Sequence, residues 1–164
     1  MKPNSGLKPV NKFRVHKRNL PHWESPGNAY FITFSTAANY ELTDGDKNIT
    51  LSAIKYHSDK KYKLYACVVM KTHVHIILQP LEESPGNYFS LSRIMHSIKS
   101  YAANRIQRTS KQEGSIWLGE NYDRIIRDED DLSDILDYII YNPVKAGIVD
   151  KPESYKWLYF EGLS

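Results

Sequence analysis

The stretch that decides the fold is Cys67-Val-Val-Met-Lys-Thr-His-Val-His-Ile-Ile-Leu78. Its two apolar halves predict strands over 62–70 and 73–79, and the two residues between them are too few for a crossover, so the strands pair as an antiparallel hairpin. Because side chains alternate along a strand, His73 and His75 face one side and the apolar residues face a core. Two neighbouring imidazoles on a rigid strand suit a divalent metal ion. A His-x-His pair alone is equally compatible with two partly exposed histidines that bind nothing.

A second informative stretch is Tyr138-Ile-Ile-Tyr-Asn-Pro-Val-Lys-Ala-Gly147. Carboxylates at 128–131 favour the start of a helix, and apolar residues at 132, 135, 136, 139 and 140 give it one buried stripe. Pro143 predicts that the helix spans 130–142 and ends at Asn142. Tyr138 and Asn142 then lie one turn apart beside the buried stripe, where they complement the two imidazoles. Taken alone, they are better explained as a tyrosine flanking the core and an asparagine that ends a helix.

The remaining segments alternate between strands and helices. Residue type and apolar spacing predict a strand over 30–36, a turn at Asp44-Gly45, a helix over 49–57 and a long basic helix over 91–108. A loop is expected over 80–87, extended backbone over 122–126 and an irregular C-terminal tail. Trp117 is expected in the core rather than on a base-stacking surface. This order predicts an antiparallel sheet with helices on its faces, an α+β sandwich.

Composition fits a small nucleic-acid enzyme without establishing that function. With 164 residues, 41% of them hydrophobic, one domain with one modest core is expected. No apolar stretch is long enough for a membrane span, and the N-terminus lacks the apolar segment of a signal peptide. The single cysteine, Cys67, cannot form an internal disulfide, so a reduced, cytoplasmic location is expected.

Positive charge is concentrated in two segments, although the net charge is only +3. Residues 1–18 and residues 90–112 both contain several Lys and Arg side chains and no acid. Basic runs interleaved with aromatic and amide side chains suit a phosphate backbone, although a basic run alone is more often a solvated surface. The candidates for DNA binding in these segments are Arg14, Lys17, Arg18, Lys99 and Arg105.

Together these motifs resemble the single-tyrosine HUH transposases, the IS200-like family, and in particular their REP-associated tyrosine transposase branch. The stretches that carry the resemblance are Leu20-Pro-His-Trp23, Tyr30-Phe-Ile-Thr-Phe34, Val69-Met-Lys-Thr-His-Val-His-Ile-Ile-Leu78, Ile98-Lys-Ser-Tyr101, Gly114-Ser-Ile-Trp117 and Tyr138-Ile-Ile-Tyr-Asn-Pro-Val-Lys-Ala-Gly147. They span most of the chain in the family's order. The family often has Pro-Asn or Pro-Asp before its His-Val-His, and Lys71-Thr72 stands there in this chain, which changes the turn but no ligand.

The resemblance implies a ferredoxin-like fold for a single domain over 25–164, preceded by a basic arm over 1–24. It implies that Tyr138 attacks DNA to form a covalent 5′-phosphotyrosine, and that His73, His75 and Asn142 bind Mg²⁺ or Mn²⁺. The expected partner is single-stranded or hairpin DNA and not a membrane. The sequence leaves open whether the protein is a monomer or a homodimer.

Two other tyrosines compete with Tyr138 for the role of nucleophile. Tyr101 lies on the basic helix, in a setting that suits DNA. Tyr141 is three residues from Tyr138, but on the helical wheel it faces further from Asn142. The resemblance favours Tyr138, and it assigns Tyr101 to the DNA-facing or packing surface.

Two further classes of function remain open from the sequence. One is a nucleic-acid-binding domain on a similar sheet, whose histidines bind no metal. It would use an RNP1-type aromatic signature, which this sequence lacks. The other is a two-histidine phosphoesterase of RNA ends, which would need two separate His-x-Thr or His-x-Ser elements. The chain has one histidine doublet, so the strand-transfer nuclease is the favoured class.

Overall fold

The computed structural model describes residues 27–162, which form two β-sheets and three α-helices. The strands are Tyr30–Ser35 (β1), Tyr62–Val69 (β2), His73–Pro80 (β3), Glu82–Ser84 (β4), Asn87–Tyr88 (β5), Tyr122–Ile125 (β6) and Leu158–Phe160 (β7). The helices are Asp44–Tyr56 (α1), Leu91–Ser110 (α2) and Glu129–Lys145 (α3), with a short 3-10 helix at Pro152–Ser154. The main sheet has the order β6-β1-β3-β2-β7 and is antiparallel throughout, and β4 and β5 form a separate hairpin.

Apart from the separate β4–β5 hairpin, the first six elements of the chain have the connectivity of a ferredoxin-like fold. They run β1-α1-β2-β3-α2-β6, and β3 lies between β1 and β2 in the sheet, which is the split β-α-β arrangement. Helix α3 and strand β7 follow as additions, and β7 extends the sheet beside β2. The predicted α+β class and ferredoxin-like sheet are therefore confirmed.

The helices cover both faces of the sheet. On one face, the Tyr62 hydroxyl donates a hydrogen bond to the Ile54 carbonyl of α1. The same face carries Phe34, which packs against Trp117, and the Trp117 indole donates to the Lys99 carbonyl of α2 at 3.1 Å. On the other face, His75 of β3 meets Tyr138 of α3. Helices α1 and α2 thus cover one face, and α3 covers the face that carries the histidines.

The core lies on both sides of the two central strands of the sheet. Residues 64–69 of β2 and 74–78 of β3 are buried. Both faces of these strands are covered, so their sequences do not alternate between apolar and polar residues as in a half-exposed strand. Trp117 is buried, as predicted, and closes the core beside Phe34. Among residues 27–162, no helix combines the length and the apolar character needed to cross a membrane.

Helix α1 begins at Asp44, so the predicted turn at Asp44-Gly45 is wrong. Thr43 caps the helix: its hydroxyl accepts from the Asp46 amide at 3.2 Å, and the Asp46 carboxylate accepts from the Thr43 amide at 2.9 Å. This reciprocal pair satisfies two amides that a helix N-terminus leaves free. The cap starts the helix five residues before the expected position at 49. The loop predicted over 80–87 likewise contains strand β4 and part of the β4–β5 hairpin.

Helix α3 continues to Lys145, so the prediction that it ends at Asn142 is wrong. A proline lacks the backbone donor for the i→i−4 bond, which usually kinks or ends a helix. Pro143 is buried, and the Ala146 amide still bonds to the Asn142 carbonyl at 3.0 Å. Gly147 then ends the helix with a φ of 70°, and its amide donates to the Val144 carbonyl.

The C-terminal tail is ordered rather than irregular, which corrects the sequence-based prediction. The Tyr155 hydroxyl donates to the Val69 carbonyl at 2.7 Å, next to the 3-10 helix. The Trp157 indole donates to the Asn48 side chain of α1 at 2.8 Å. These contacts bring β7 against β2, where it pairs through 158–160. The aromatic residues of the tail were visible in the sequence, but their partners lie far away along the chain.

The N-terminus of α3 is fixed to β6 by a two-pronged ion pair. Both guanidinium NH groups of Arg124 donate to the Asp131 carboxylate, at 2.8 and 2.9 Å. The Arg127 amide donates to the same carboxylate at 2.9 Å. The hydrogen bonds from Arg124 are the main reason why the pKa of Asp131 lies well below its usual range. Asp128 caps the helix, and the Arg124–Asp131 pair ties its first turn to β6.

We expect the Arg124–Asp131 pair to make stability depend on acid. A carboxyl group whose pKa is lowered by folding stabilises the fold above its unfolded pKa of about 4, and this contribution is lost as the pH falls below that value. Asp131→Asn should lower the free energy of unfolding by about 1 kcal/mol at pH 7. It should also flatten the decrease of the melting temperature in acid. Asp130→Asn, in the same turn, is the control, and equal melting curves for the two variants would contradict the prediction.

Candidate active site

Two histidines of β3 form the base of the site. The rings of His73 and His75 lie on the same face of the sheet, with their centroids 4.9 Å apart. His75 is only 4% exposed, whereas His73 is half-buried at the end of the strand. The alternation predicted for this strand is therefore present, and it places two imidazoles side by side.

Thr33 of β1 holds the His75 ring from the neighbouring strand. The two residues are directly paired in the β1–β3 register, and Thr33 Oγ1 lies 2.7 Å from His75 Nδ1. When Nδ1 donates its proton to Thr33, the other ring nitrogen, Nε2, carries the free lone pair. We expect Thr33 to accept from Nδ1 in this way, which leaves Nε2 able to bind a metal ion.

Burial keeps both imidazoles neutral. The pKa of His75 is lowered to about 4, mainly because burial disfavours its charged form and also because His73 lies beside it. Burial lowers the pKa of His73 as well. At neutral pH both rings are therefore unprotonated, which is the form that coordinates metal ions.

Helix α3 brings Tyr138 to these histidines from a segment 63 residues away in sequence. The phenol oxygen lies 3.4 Å from His75 Nε2, and the two ring centroids are 5.1 Å apart. Phe31 contacts both rings: it stacks on His75 at 5.7 Å and meets Tyr138 edge-on at 6.1 Å. The Lys145 ammonium lies 5.9 Å from the centre of the Tyr138 ring. Tyr138 remains 41% exposed, so its phenol is anchored on one side and open to a ligand on the other.

The donor set fits a metal ion that takes part of its ligand shell from a substrate. Asn142 lies one helical turn after Tyr138 on α3 and is half-buried. Within residues 27–162, no cluster of three or more His, Cys, Asp or Glu side chains is placed to hold a metal ion. Two neutral imidazoles and an amide oxygen would supply three ligands, which leaves positions for water or phosphate oxygens. The assignment of Asn142 as the third ligand remains a prediction.

A family model with the description "Transposase IS200 like" matches residues 29–142. The chain belongs to the IS200-like transposase family. The matched segment contains His73, His75, Tyr138 and Asn142, so the family resemblance inferred from these motifs is confirmed.

Two further comparisons agree with membership of the IS200-like family. A Haemophilus influenzae protein named "Putative REP-associated tyrosine transposase" is 30% identical over 108 residues, which is 60% of this chain and 59% of that protein. The chain thus spans less than two thirds of the length of this curated relative. A solved structure of a REP-associated tyrosine transposase bound to a REP hairpin matches 85% of this chain and 80% of its own, with 23% identity and a TM-score of 0.65. This second likeness establishes the shared fold.

The candidates for DNA binding are dispersed in this IS200-like transposase. Arg14, Lys17 and Arg18 lie outside the described residues. The Lys99 ammonium donates to the Leu118 carbonyl at 2.7 Å and to the Asn121 side chain at 2.9 Å, so it fixes the loop before β6. Arg105 is exposed on α2, on the sheet face opposite the histidines. A DNA contact for these residues remains a prediction.

Of the two competing tyrosines, Tyr101 lies apart from the paired imidazoles. Tyr101 is on α2, on the opposite face of the sheet, where its ring stacks nearly parallel on Tyr56 of α1 at 6.4 Å. Tyr141 is half-buried, and burial is the main cause of its raised pKa, with Asp137 and Glu153 nearby. Tyr138 is the tyrosine whose hydroxyl reaches His75.

Sequence reasoning missed Thr33 and Phe31. Both lie in the stretch Tyr30-Phe-Ile-Thr-Phe34, which was assigned to β1 on its residue types alone. Alternation along β1 shows that the two share a face, but it does not show that this face meets the histidines. That depends on the β1–β3 register, which pairs Thr33 with His75.

We expect Thr33→Val to disturb His75 while leaving the fold intact. Valine has nearly the shape of threonine but cannot accept the Nδ1 proton, so the preference for the tautomer with a free Nε2 should be lost. Long-range proton–nitrogen NMR spectra report the tautomer directly. Calorimetric titration with Mn²⁺ should show an affinity about tenfold lower than that of the wild type. Thr33→Ser keeps the hydroxyl and serves as the control; wild-type tautomer and affinity in the valine variant would contradict the role of Thr33.

Proposed function

We propose that this protein is a metal-dependent transposase that cleaves and rejoins single-stranded or hairpin DNA through a covalent 5′-phosphotyrosine. The observation that carries the proposal is the meeting of Tyr138 with the paired histidines, at 3.4 Å between the phenol oxygen and His75 Nε2. A tyrosine hydroxyl beside two neutral imidazoles combines a nucleophile with a site for a divalent ion, which are the two requirements of this chemistry.

In this proposal His73, His75 and Asn142 hold Mg²⁺ or Mn²⁺. The neutral imidazoles offer nitrogen lone pairs, and Asn142 would add a side-chain oxygen. When bound, the ion neutralises charge on a phosphodiester and orients its phosphorus. The chain contributes the rigid strand that spaces the two rings, and the Thr33 contact that aims one of them.

Tyr138 is the proposed nucleophile. Its phenol oxygen forms a bond to phosphorus, the bond from phosphorus to the 3′ oxygen breaks, and the DNA 5′ phosphate becomes linked to the tyrosine. The phenol gives up its proton, and the departing 3′ oxygen takes one up to become a hydroxyl. Because the phosphotyrosine retains the energy of the broken ester, that hydroxyl or another can later reverse the step without ATP.

Several contacts of Tyr138 support this role. Phe31 holds the ring edge-on, so the phenol cannot swing freely about the helix. The ring is 41% exposed, which gives a DNA strand access to it. Lys145, 5.9 Å from the ring centre, adds positive charge where a phosphate would lie. Tyr101, by contrast, stacks on another tyrosine, Tyr56.

The choice of DNA as substrate rests on family and relatives. The relative that is bound to a REP hairpin shares the fold at 23% identity, and the curated relative is matched over 59% of its length. The basic helix α2, with no acid over 90–112, is consistent with a polyanionic partner. We therefore propose single-stranded or hairpin DNA as the class of substrate.

Tyr138→Phe tests the nucleophile. It removes one oxygen and keeps the ring, so folding and DNA binding should survive, whereas cleavage and the covalent adduct should be abolished. Labelled hairpin DNA is incubated with the protein and Mn²⁺, and the adduct is detected as a species that resists SDS. Peptide mapping of the wild-type adduct should place the DNA on Tyr138.

Tyr101→Phe is the matched control, because Tyr101 is an exposed tyrosine on the opposite face of the sheet. It should form the adduct as the wild type does. DNA found on Tyr101 would overturn the choice of nucleophile. Binding of hairpin DNA without adduct or cleavage in the wild type, with or without Mn²⁺, would instead support the alternative function, a non-catalytic nucleic-acid-binding domain.

Asn142→Ala tests the third ligand. If the amide oxygen binds the ion, the variant should require more Mn²⁺ for half-maximal cleavage and should bind Mn²⁺ more weakly without DNA. If Asn142 serves only the helix, where its carbonyl accepts from Ala146, the substitution should change the melting temperature slightly and leave the metal requirement alone. A Mn²⁺ titration of cleavage, with calorimetry of the DNA-free protein, separates these outcomes.

A further inference from the structure

Tyr122, at the start of edge strand β6, is an exposed aromatic residue in the same row as the site. In the sheet it pairs with Thr33, which in turn pairs with His75, so the three side chains share the face that α3 covers. Adjacent strands are about 4.8 Å apart, so the Cα atoms of Tyr122 and His75 are separated by about 10 Å. Three neighbouring strands thus present a tyrosine, a threonine and a histidine in line.

The ring of Tyr122 is joined to the site but is not buried by it. The Tyr122 and Phe31 rings are nearly perpendicular, with their centroids 6.5 Å apart, and Phe31 also contacts His75 and Tyr138. Tyr122 is nevertheless 59% exposed. Its hydroxyl has no hydrogen-bond partner among residues 27–162. A large aromatic ring that contacts the site and is more than half exposed is available to stack on a flat ligand.

Charged side chains around β6 affect where a polyanion can approach. The carboxylates of the first turn of α3 are attached near the end of β6, where Asp131 pairs with Arg124. Asp123 lines a cavity beside α2, so it faces away from Tyr122 across the sheet. On the other side of the site, the Lys145 ammonium lies 5.9 Å from the centre of the Tyr138 ring. Lys145 thus adds positive charge beside Tyr138, where the proposed function places the phosphate.

We propose that Tyr122 is a base-stacking platform that binds one nucleobase of single-stranded DNA next to the scissile phosphate. The inference rests on the proposed function, because it places the phosphate at Tyr138. Every base offers a π-face, and aromatic platforms accept bases with little regard to sequence. A separation of about 10 Å corresponds to about three stacked bases at about 3.4 Å each, so the bound base belongs to a nucleotide within that distance of the cleavage position.

The position of Tyr122 beside the site differs from that of two other exposed tyrosines, Tyr56 and Tyr101. Tyr56 and Tyr101 stack on each other, and they lie on the α1–α2 side of the sheet, away from the histidines. Tyr56 is 67% exposed, close to the exposure of Tyr122. It therefore provides a matched control for the loss of an exposed tyrosine ring.

The test measures binding in the Tyr138→Phe background, in which DNA is not cleaved. The probe is a fluorescein-labelled DNA hairpin with single-stranded flanks, and anisotropy gives its affinity. Tyr122→Ala should weaken binding by about tenfold, Tyr122→Phe should retain wild-type affinity, and Tyr56→Ala should change nothing. Wild-type affinity in Tyr122→Phe would also show that the Tyr122 hydroxyl is not needed for DNA binding.

Abasic flanks identify the stacked base. Removing the base at one flank position should weaken binding to protein with intact Tyr122 by the same factor as Tyr122→Ala. The same abasic site should have no further effect on the Tyr122→Ala variant, because the two changes remove one interaction. The proposal would be overturned if the abasic site and Tyr122→Ala weakened binding additively at every flank position. Equal losses of affinity in Tyr122→Ala and Tyr56→Ala would also overturn it.

The two proposals fail in different ways. If the wild type forms the Tyr138 adduct but no flank base couples to Tyr122, the platform is wrong and the proposed function stands. If the wild type forms no adduct at all, the proposed function fails, whatever the stacking data show. If Tyr122→Ala folds poorly, Tyr122→Leu, which keeps an apolar side chain beside Phe31 but has no aromatic face, replaces it in the same abasic comparison.

Discussion

The antiparallel pairing of β1 with β3 is the constraint on which the site depends. It places Thr33 opposite His75 and Ser35 opposite His73, and it puts Phe31 on the same face. If the register slipped by one residue, the histidines would face α1 and α2, and apolar side chains would face α3. The deep burial of residues 74–78 opposes such a slip, because the strand's apolar side chains already fill the core on the other face. One register therefore serves both the packing of the sheet and the chemistry of the site.

Helix α3 completes the site, because it covers the histidine face of the sheet and supplies Tyr138. A ferredoxin-like sheet with helices on one face leaves its other face open, and here α3 crosses that face. The helix is fixed at its start by the Arg124–Asp131 pair and ends at Gly147. Between these points its apolar stripe packs on the sheet, and Tyr138 lies at the edge of that stripe. The phenol reaches His75 because α3 is held at its start and packed on the sheet, and its exposed side remains for a ligand.

Much of the fold was predictable from local sequence signals. The hairpin of β2 and β3, the faces of α2 and α3 and the alternation that pairs His73 with His75 all follow from apolar periodicity. The errors occurred where a local rule competed with a contact from elsewhere. Asp44-Gly45 has turn chemistry, but the cap from Thr43 makes it helical. Pro143 is a helix breaker, but one missing donor in a last turn does not stop α3. The tail forms β7 because Tyr155 and Trp157 bond to distant residues.

The candidate site shows the same division between local and distant information. His73, His75, Tyr138 and Asn142 were identified as motif residues, but a motif says nothing about what holds them. Thr33, Phe31 and Tyr122 enter the site only through cross-strand pairing, because each belongs to a strand with no chemical signature of its own. Thr33 contacts one histidine ring, Phe31 contacts the ring of Tyr138, and Tyr122 is the residue proposed to stack on a base at the sheet edge. For a small sheet enzyme the reactive groups are thus encoded locally, whereas their orientation is encoded in the register, and register is what a single sequence specifies least directly.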